Sequence, residues 1–370
     1  MENVLSRRAV NRATLARQLL LDKAEMPVID AVEHLAGLQA QTPHTWYVGL
    51  WSRLHGFRGE SAAGPLGERE LVRAALMRGT IHLVSARDCL ALRPLVQPMI
   101  ERATMTTFGR RLAGVDPVRL AAAARAHLAE RPLTFAALGR LLAEEWPDHD
   151  PHALGQGARA WLTLVQVPPR GLWGRSGPVA HTTAESWLGP AGDVHAMTPQ
   201  TMVLRYLAAF GPASVQDVQQ WSGLTRLTEV MTGLDLAEFR TEDGGRLFDL
   251  PGAPRPGPDV PAPARFLYDY DNLLRSHADR SRVITDAYYA QNYDPHGWAV
   301  SSFLIDGFTA GDWRVTRQGR TSVLTLRPYS PLPDPDADDL TKEGARLLNF
   351  LAPGDAHDIR FAAPRSVTGE

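Results

Sequence analysis

Apolar residues recur with helical spacing in short segments of the chain, and most of these segments lead into strand-like residues and a turn. Three such groups of helices followed by a hairpin are typical of winged helix-turn-helix modules. The first group is predicted to contain helices at residues 12–21, 28–39 and 68–77 and a strand at 80–84. Ser85 is then predicted to cap a longer helix.

The second and third groups repeat this order further along the chain. In the second group, helices are predicted at residues 118–130, 135–145 (with Thr134 as N-cap) and 153–165, followed by a wing at 167–177 rich in glycine and proline. In the third group, helices are predicted at residues 199–210, 215–222 (with Ser214 as N-cap) and 226–233, followed by strands at 239–241 and 247–250.

A proline-rich stretch separates these groups from a β-rich end. This end is predicted to hold strands at residues 299–305, 308–309, 313–317 and 322–327, a helix at 339–351 and a loose final dozen residues. The predicted fold class is mainly α with β (α+β), with three tandem winged helix-turn-helix modules and a β-rich C-terminal region in a C-shaped arrangement. The predicted domains are modules at 1–115, 116–190 and 191–250, the linker 251–263, and the β-rich region 264–370.

The composition is that of a globular protein, with 44% hydrophobic and 22% charged residues. No apolar stretch reaches the roughly 18 residues that a membrane span needs, and the N-terminus lacks a signal peptide's apolar core, so we expect a cytoplasmic protein. Cys89 is the only cysteine, which excludes an internal disulfide and a thiolate metal cage. His149 and His152 lie close together without a third ligand at helical spacing, so neither a metal nor a cofactor is predicted.

The charge pattern gives an ambiguous indication of nucleic-acid binding. A formal net charge of −2 is unusual for a DNA-binding protein. Of the 39 basic residues, however, all but Lys23 and Lys342 are arginines, whose guanidinium groups suit bidentate phosphate contacts. A GC-rich genome would produce the same arginine bias, so the positions of the arginines carry more information than their number.

Two glutamines stand out within residues 37–43, which read Gly-Leu-Gln-Ala-Gln-Thr-Pro. Helical spacing over residues 28–39 places Gln39 on the buried stripe formed by Val28, Val32 and Leu35. Pro43 disfavours helical geometry at the preceding residue, so Gln41 is predicted to lie beyond the helix end. A glutamine at a helix end is most often a capping or core-satisfying group, and this pair alone is weak evidence of a site.

Further stretches of the chain strengthen the evidence, because five motifs, counting the glutamine pair, occur together and match one protein family in the same order. They are Gln39-Ala40-Gln41, Arg-Gly-Thr-Ile-His-Leu-Val at 78–84, Arg-Gly-Leu-Trp-Gly at 170–174, Ser-His-Ala-Asp-Arg-Ser-Arg at 276–282, and Leu-Ile-Asp-Gly at 304–307 with Gly-Asp-Trp-Arg at 311–314. With them the chain resembles, over most of its length, the winged-helix DNA glycosylases of the AlkZ and YcaQ type, whose signature is Gln, an aliphatic residue, then Gln or Asp.

This resemblance implies a glycosylase that releases N7-alkylated, cationic purines from double-stranded DNA. In its length and its Gln-Ala-Gln variant, the chain is similar to the branch of the family that unhooks interstrand crosslinks such as those of azinomycin B. The resemblance also implies that Gln41 positions a water molecule and that Gln39 holds Gln41, water or the sugar. The available amines are Lys23, Lys342 and the N-terminus, and none lies in a family-like motif, so we expect a monofunctional enzyme without AP lyase activity.

Two arginine-bearing hairpins are predicted to contact DNA. Arg170, Trp173 and Arg175 on the second wing suit phosphate contact and groove insertion, although a packed tryptophan in such a hairpin is also a common structural device. Arg314, Arg317 and Arg320 flank a C-terminal turn that, in the family, helps to probe the lesion. Charges that merely blunt a sheet edge are the alternative for these three arginines.

Four residues are predicted to support the site. His82 lies on a short strand and is interpreted as an interfacial histidine rather than a catalyst. His277, Arg280 and Arg282 form a compact polar group, for which a buried network tying the β-rich end to the first module competes with DNA contact.

Double-stranded DNA carrying alkylated purines or crosslinks is the predicted partner. We expect a nucleoid-associated monomer that holds the lesion in an open cleft rather than flipping the base into an enclosed pocket. A non-catalytic winged-helix transcriptional regulator or a lesion sensor remains the alternative. The amide pair discriminates between them, since a regulator needs no glutamines beside a cleft.

Overall fold

A computed structural model describes residues 4–190, 192–294 and 296–364 of the 370-residue chain. The helices are α1 (Arg7–Arg17), α2 (Val28–His34), α3 (Trp46–Trp51), α4 (Gly59–Gly67), α5 (Ala86–Phe108), α6 (Pro117–Glu130), α7 (Phe135–Leu142), α8 (Pro151–Trp161), α9 (Ala184–Leu188), α10 (Pro199–Phe210), α11 (Val215–Ser222), α12 (Thr228–Thr232), α13 (Asp286–Tyr289) and α14 (Asp334–Leu351). The strands are β1 (Val4–Leu5), β2 (Leu38–Gln39), β3 (Leu71–Ala75), β4 (Ile81–Ser85), β5 (Leu133–Thr134), β6 (Leu164–Gln166), β7 (Ala180–Thr183), β8 (Ala237–Thr241), β9 (Arg246–Asp249), β10 (Arg265–Leu267), β11 (Ser302–Ile305), β12 (Phe308–Gln318), β13 (Thr321–Pro328) and β14 (Ala356–Phe361).

The strands form three sheets, which confirms the predicted mixture of helices and sheets. A six-stranded sheet has the order β2-β4-β3-β6-β7-β5 and thus joins strands from the first two predicted modules. A three-stranded sheet, β1-β8-β9, contains the predicted hairpin of the third module, and a five-stranded sheet runs β10-β11-β12-β13-β14. None of the helices within the described ranges is long and apolar enough to cross a membrane.

Local capping signals were predicted correctly. The hydroxyl groups of Ser85, Thr134 and Ser214 accept hydrogen bonds from backbone N–H groups three residues later and start α5, α7 and α11. Ser214 and Asp217 form a complete capping box. These bonds join residues close in sequence, so the residue types alone indicate where each helix begins.

Two predicted helices of the first module are wrong in ways that affect the site. The helix that starts at Val28 ends at His34, because Ala36 and Gly37 have φ angles of 54° and 85° and turn the chain into β2. Gln39 therefore lies on a strand. Residues 71–75, predicted as helix, form β3, which lies between β4 and β6 and whose five residues are all buried. An apolar run buried on both faces has no period that separates strand from helix.

The chain ends also differ from the prediction. Helix α1 begins at Arg7 rather than at residue 12, because the Ser6 hydroxyl caps it by accepting a bond from the Ala9 N–H. At the other end, the final dozen residues were predicted to be loose, but residues 359–361 among them belong to β14, which pairs in parallel with β13. The two short strands predicted at 308–309 and 313–317 are one strand, β12, with a register shift against β11. The last predicted loose residues, 365–370, lie outside the described part of the chain.

The C-terminal region packs directly against the N-terminal segments. One hydrophobic core joins Trp46 and Tyr47 of α3 with Phe266 of β10 and Leu347 of α14. Another joins Leu15 of α1 to Leu267 of β10 and Leu304 of β11. This packing brings the loop after β10, residues 268–282, against the segment that carries the two glutamines.

The turn that starts β2 depends on Gly37. A Cβ atom at this residue would lie 2.7 Å from Cγ1 of Val84 and 3.1 Å from the carbonyl oxygen of Leu83, and the φ angle of 85° disfavours any side chain. We expect Gly37→Ala to lower the free energy of unfolding by about 1–3 kcal/mol, measured by urea denaturation. Gly64→Ala is the control, because a Cβ on that glycine of α4 meets no atom within 4 Å. Equal stability of the two variants would contradict the expectation.

Candidate active site

The Gln-Ala-Gln segment is held as the edge strand of the six-stranded sheet. Leu38 and Gln39 of β2 pair with Leu83 and His82 of β4. The side chain of Asn272 accepts a bond from the Gln39 N–H (3.3 Å) and donates one to the Gly37 carbonyl oxygen (2.5 Å). Asn272, more than 230 residues away in sequence, therefore fixes the position of β2 from the side opposite β4.

The strand leaves the sheet between the two glutamines. The Ala40 N–H still donates to the Ile81 carbonyl oxygen at 2.7 Å. The Ala40 carbonyl oxygen instead accepts a bond from Nη2 of Arg73 (2.7 Å), and the Ile81 N–H donates to Oε1 of Gln41 (3.3 Å). The Gln41 side chain thus takes an acceptor position that a backbone carbonyl fills in a regular ladder. It anchors Gln41 while leaving that residue exposed.

The bonding partners decide how both amide groups are oriented. Oε1 of Gln39 accepts from Nη2 of Arg78 at 2.7 Å, and Oε1 of Gln41 accepts from a backbone N–H. A guanidinium and a backbone N–H can only donate, so each must face the amide oxygen rather than the amide nitrogen. Both Nε2 groups are then left as the donors available to a ligand, and Oε1 of Gln41 retains one lone pair for a water molecule.

Two arginines hold the motif, and sequence reasoning did not assign a role to either. Arg73 is 1% exposed, and burial, followed by the nearby Arg170, lowers its pKa to about 10. Burial likewise lowers the pKa of Arg78 to about 10, so both side chains remain cationic at neutral pH. Arg78 has a φ angle of 55°, an unusual backbone conformation for a residue other than glycine. An arginine on the otherwise apolar strand Leu71–Ala75 was the signal that could have identified Arg73.

His82 lies directly opposite Gln39 and is 1% exposed. Its Nδ1 atom lies 3.0 Å from the Thr80 carbonyl oxygen, and burial lowers the pKa of the imidazole to about 3. His82 is therefore neutral at physiological pH, with Nδ1 as its donor. It can orient the strand but has no proton to give to a leaving group at neutral pH.

His277 and Arg282 lie in a buried network with the third predicted module. Nε2 of His277 lies 3.0 Å from the Phe210 carbonyl oxygen, and Nη1 of Arg282 donates to the Pro212 carbonyl oxygen at 2.8 Å. Arg282 also contacts Asp217 of α11, whose carboxylate accepts a bond from the Ala278 N–H. These two residues position the loop rather than face the glutamines. Arg280 is partly exposed and lies outside this network.

The second wing is a loop between β6 and β7, and its Gly171 carbonyl oxygen accepts a bond from the Tyr47 hydroxyl of α3 at 3.0 Å. Arg170 donates to the Gly177 carbonyl oxygen at 3.2 Å within the wing, and Arg175 is exposed. The ring of Trp173 lies 4.9 Å from those of both Tyr47 and Phe350. Because these contacts occupy the Trp173 ring, the arrangement favours a packing role for it over groove insertion.

The three arginines of the C-terminal hairpin are exposed on β12 and the following turn. Arg317 pairs with Asp355 at 2.7 Å, while Arg314 and Arg320 have exposed side chains. Among the described residues none of these three arginines makes a hydrogen bond to Gln39 or Gln41. Their prediction as DNA contacts therefore remains a proposal about the hairpin surface.

The described part of the chain has no metal-ligand cluster beside the glutamines, and a cavity in it is lined by other residues. Within residues 4–190, 192–294 and 296–364, no three His, Cys, Asp or Glu side chains are grouped to hold a metal ion. A cavity of about 680 Å³ is lined by Glu33, Asp88 and Arg205 among others, and it contains neither glutamine.

Comparisons with known proteins identify the family and the fold. A sequence model of the family described as DNA glycosylase AlkZ-like matches residues 32–350. The fold is similar to that of the Streptomyces sahachiroi DNA glycosylase AlkZ, with a TM-score of 0.76 and 19% sequence identity over 97% of this chain and 100% of that chain. No curated protein sequence matches the chain. The family match includes the Gln-Ala-Gln segment, and the structural match shows the shared fold.

Proposed function

Because the chain belongs to the AlkZ-like family of DNA glycosylases, we propose that it hydrolyses the N-glycosidic bond of N7-alkylated purines in double-stranded DNA. The observation that carries this proposal is the pair of amides, Gln39 and Gln41, each oriented by a donor-only partner. Gln41 is exposed and would position the attacking water. Gln39, buried beside it, would hold Gln41, the water or the sugar.

Neutral amide groups are suited to the excision of a cationic purine, because they cannot protonate a leaving base. Alkylation at N7 makes the purine cationic, so the glycosidic bond is already weak and the leaving base needs no proton. A water oxygen bonds to the sugar C1′ while the C1′–N9 bond breaks and its electron pair returns to the purine, which leaves neutral; the water proton passes to solvent. Oriented amide dipoles can hold the water and stabilise the oxocarbenium-like transition state without acting as bases.

We further propose that bulky adducts and interstrand crosslinks are accepted. The supporting observation is that Gln41 is exposed at the end of an edge strand, where a second DNA strand attached to the base would not have to enter a closed cavity. Both lysines are engaged elsewhere: the Lys23 ammonium lies 4.1 Å from the Trp51 ring centre and 3.5 Å from Glu343, and Lys342 pairs with Asp339. This supports hydrolysis without a Schiff base, and hence a monofunctional enzyme.

The direct test is incubation with a duplex that contains a single N7-methylguanine, followed by hot alkali to break the strand at abasic sites. We expect strand breakage at the lesion, no breakage of duplexes with unmodified guanine or the neutral lesion uracil, and no protein–DNA adduct after borohydride treatment. Binding without breakage would overturn the proposal in favour of a lesion sensor or regulator. A trapped adduct would overturn the monofunctional assignment alone.

A further inference from the structure

Arg78, which contacts Gln39, lies near two further arginines, Arg275 and Arg280, and none of the three has a carboxylate partner among the described residues. Arg78 donates to Oε1 of Gln39 and to the Trp221 carbonyl oxygen, both at 2.7 Å. Arg275 is 9% exposed and donates to Asn292 (3.0 Å) and to the hydroxyl of Tyr293. Arg280 lies with its guanidinium 4.9 Å from the ring centre of Tyr289. All of these partners are neutral.

The fold brings Arg78 and Arg275 together through a series of contacts between distant segments. Asn272, which holds the backbone at Gln39, lies three residues before Arg275 on the same loop. The carbonyl oxygen of the next residue, Ser276, accepts a bond from Tyr206 (2.7 Å), whose ring lies 5.2 Å from that of Trp221. The carbonyl oxygen of Trp221 in turn accepts from Arg78.

Two tyrosines complete one side of the cluster. The hydroxyl groups of Tyr289 and Tyr293 lie 3.1 Å apart, and the guanidinium of Arg275 lies 4.8 Å from the Tyr293 ring centre. Cation–π contacts of this kind hold a guanidinium in place but do not neutralise it. In addition, the buried Nε atoms of Arg275 and Arg280 have no hydrogen-bond partner.

The electrostatic consequence is a concentration of like charge. Burial is the main cause of the lowered pKa of Arg78, and Arg275 and Arg280 lower it further. Burial and Arg275 also lower the pKa of Arg280. A cationic purine approaching three uncompensated guanidinium groups would be repelled, whereas an anion bound among them would remove that repulsion.

We propose that Arg78, Arg275 and Arg280 form a binding site for one phosphodiester of the lesion-bearing DNA strand, adjacent to Gln39. The inference rests on the proposed function, because it requires a DNA strand held at the amide pair. Guanidinium groups are suited to phosphate oxygens in geometry and charge. The bound phosphate neutralises the cluster and fixes the sugar next to it, so that the cationic base can be held against the amides.

The test pairs a protein change with a DNA change in a thermodynamic cycle. The probe is a duplex with a tetrahydrofuran abasic-site analogue, in which a neutral methylphosphonate replaces one phosphodiester at a time on either side of the analogue. Dissociation constants are measured by fluorescence anisotropy. Native protein is expected to lose about tenfold in affinity at one linkage, the effect of removing a charge-assisted hydrogen-bond acceptor.

Arg280→Gln should bind the unmodified duplex about tenfold more weakly and should lose its sensitivity to methylphosphonate at that same linkage. Arg360→Gln is the matched control and should keep full sensitivity, because Arg360 lies on β14, at the edge of the C-terminal sheet opposite β10. If Arg280→Gln proves unfolded by circular dichroism, Arg275→Gln is measured in the same cycle. The proposal is overturned if, at every linkage, the affinity loss caused by Arg280→Gln multiplies with the loss caused by methylphosphonate. It is also overturned if methylphosphonate at no linkage weakens binding by the native protein.

This result is separable from the failure of the proposed function, because the analogue cannot be cleaved. Coupling at one linkage in a protein that does not excise N7-methylguanine would refute the glycosylase activity and support the phosphate site. Excision with independent losses at every linkage would refute the phosphate site alone.

Discussion

Gln41→Ala is expected to slow the excision of N7-methylguanine by about 10²–10³-fold under single-turnover conditions. The reason is that the variant removes an oriented amide dipole from the place where charge develops, and such groups typically contribute that much to a rate. Gln39→Ala should cause a loss of similar size. Binding of a duplex with an uncleavable abasic-site analogue should change less than about threefold for Gln41→Ala, since phosphate contacts dominate affinity.

The two variants should differ in stability, which separates their structural roles. Gln41 is exposed and water can replace its bond from the Ile81 N–H, so its replacement should change the free energy of unfolding by less than about 1 kcal/mol. Gln39 is 5% exposed and accepts a bond from Nη2 of Arg78, so Gln39→Ala leaves that nitrogen without its acceptor and should cost about 1–3 kcal/mol. Gln200→Ala, at an exposed position of α10, is the control for both measurements. Native excision rates in both variants would remove the proposed catalytic roles.

Asp271→Ala is expected to lower the free energy of unfolding by about 3–5 kcal/mol, because it leaves a buried cation without its partner. The carboxylate of Asp271 and the guanidinium of Arg53 form two hydrogen bonds of 2.7 and 2.8 Å, and their side chains are 0% and 1% exposed. Asp271 also accepts the Leu273 N–H at 3.0 Å and so shapes the loop that presents Asn272 to Gln39. The variant should therefore lose excision activity as well.

Urea denaturation measures the stability loss, and a surface ion pair provides the control. Arg119 and Glu145 form a pair with side chains 64% and 41% exposed, so Glu145→Ala should change the free energy of unfolding by less than about 1 kcal/mol. Combining Arg53→Met with Asp271→Leu should restore part of the loss, since no buried charge then remains unpaired. A loss for Asp271→Ala no larger than that for Glu145→Ala would contradict the role given to the buried pair.

Several features of the site were outside the reach of sequence reasoning. The helical spacing of Val28, Val32 and Leu35 correctly indicated a buried face. The predicted helix, however, continued past Gly37, whose positive φ angle helps to turn the chain into β2. Gln39 is buried as predicted, although on a strand instead of a helix. The same burial arises in either structure, so the pattern alone did not distinguish them.

By itself, the sequence determined the motifs that mark the AlkZ-like family, confirmed by the family match over residues 32–350, and the N-caps at Ser85, Thr134 and Ser214. These features depend on residue identity or on bonds across three residues, which a linear chain already specifies. Only the tertiary structure decided which way the two amides face, because that orientation comes from Arg78 and the backbone of Ile81, some 40 residues away. The support from Asn272 and the grouping of Arg78 with Arg275 and Arg280 depend in the same way on packing between distant segments, which no local pattern records.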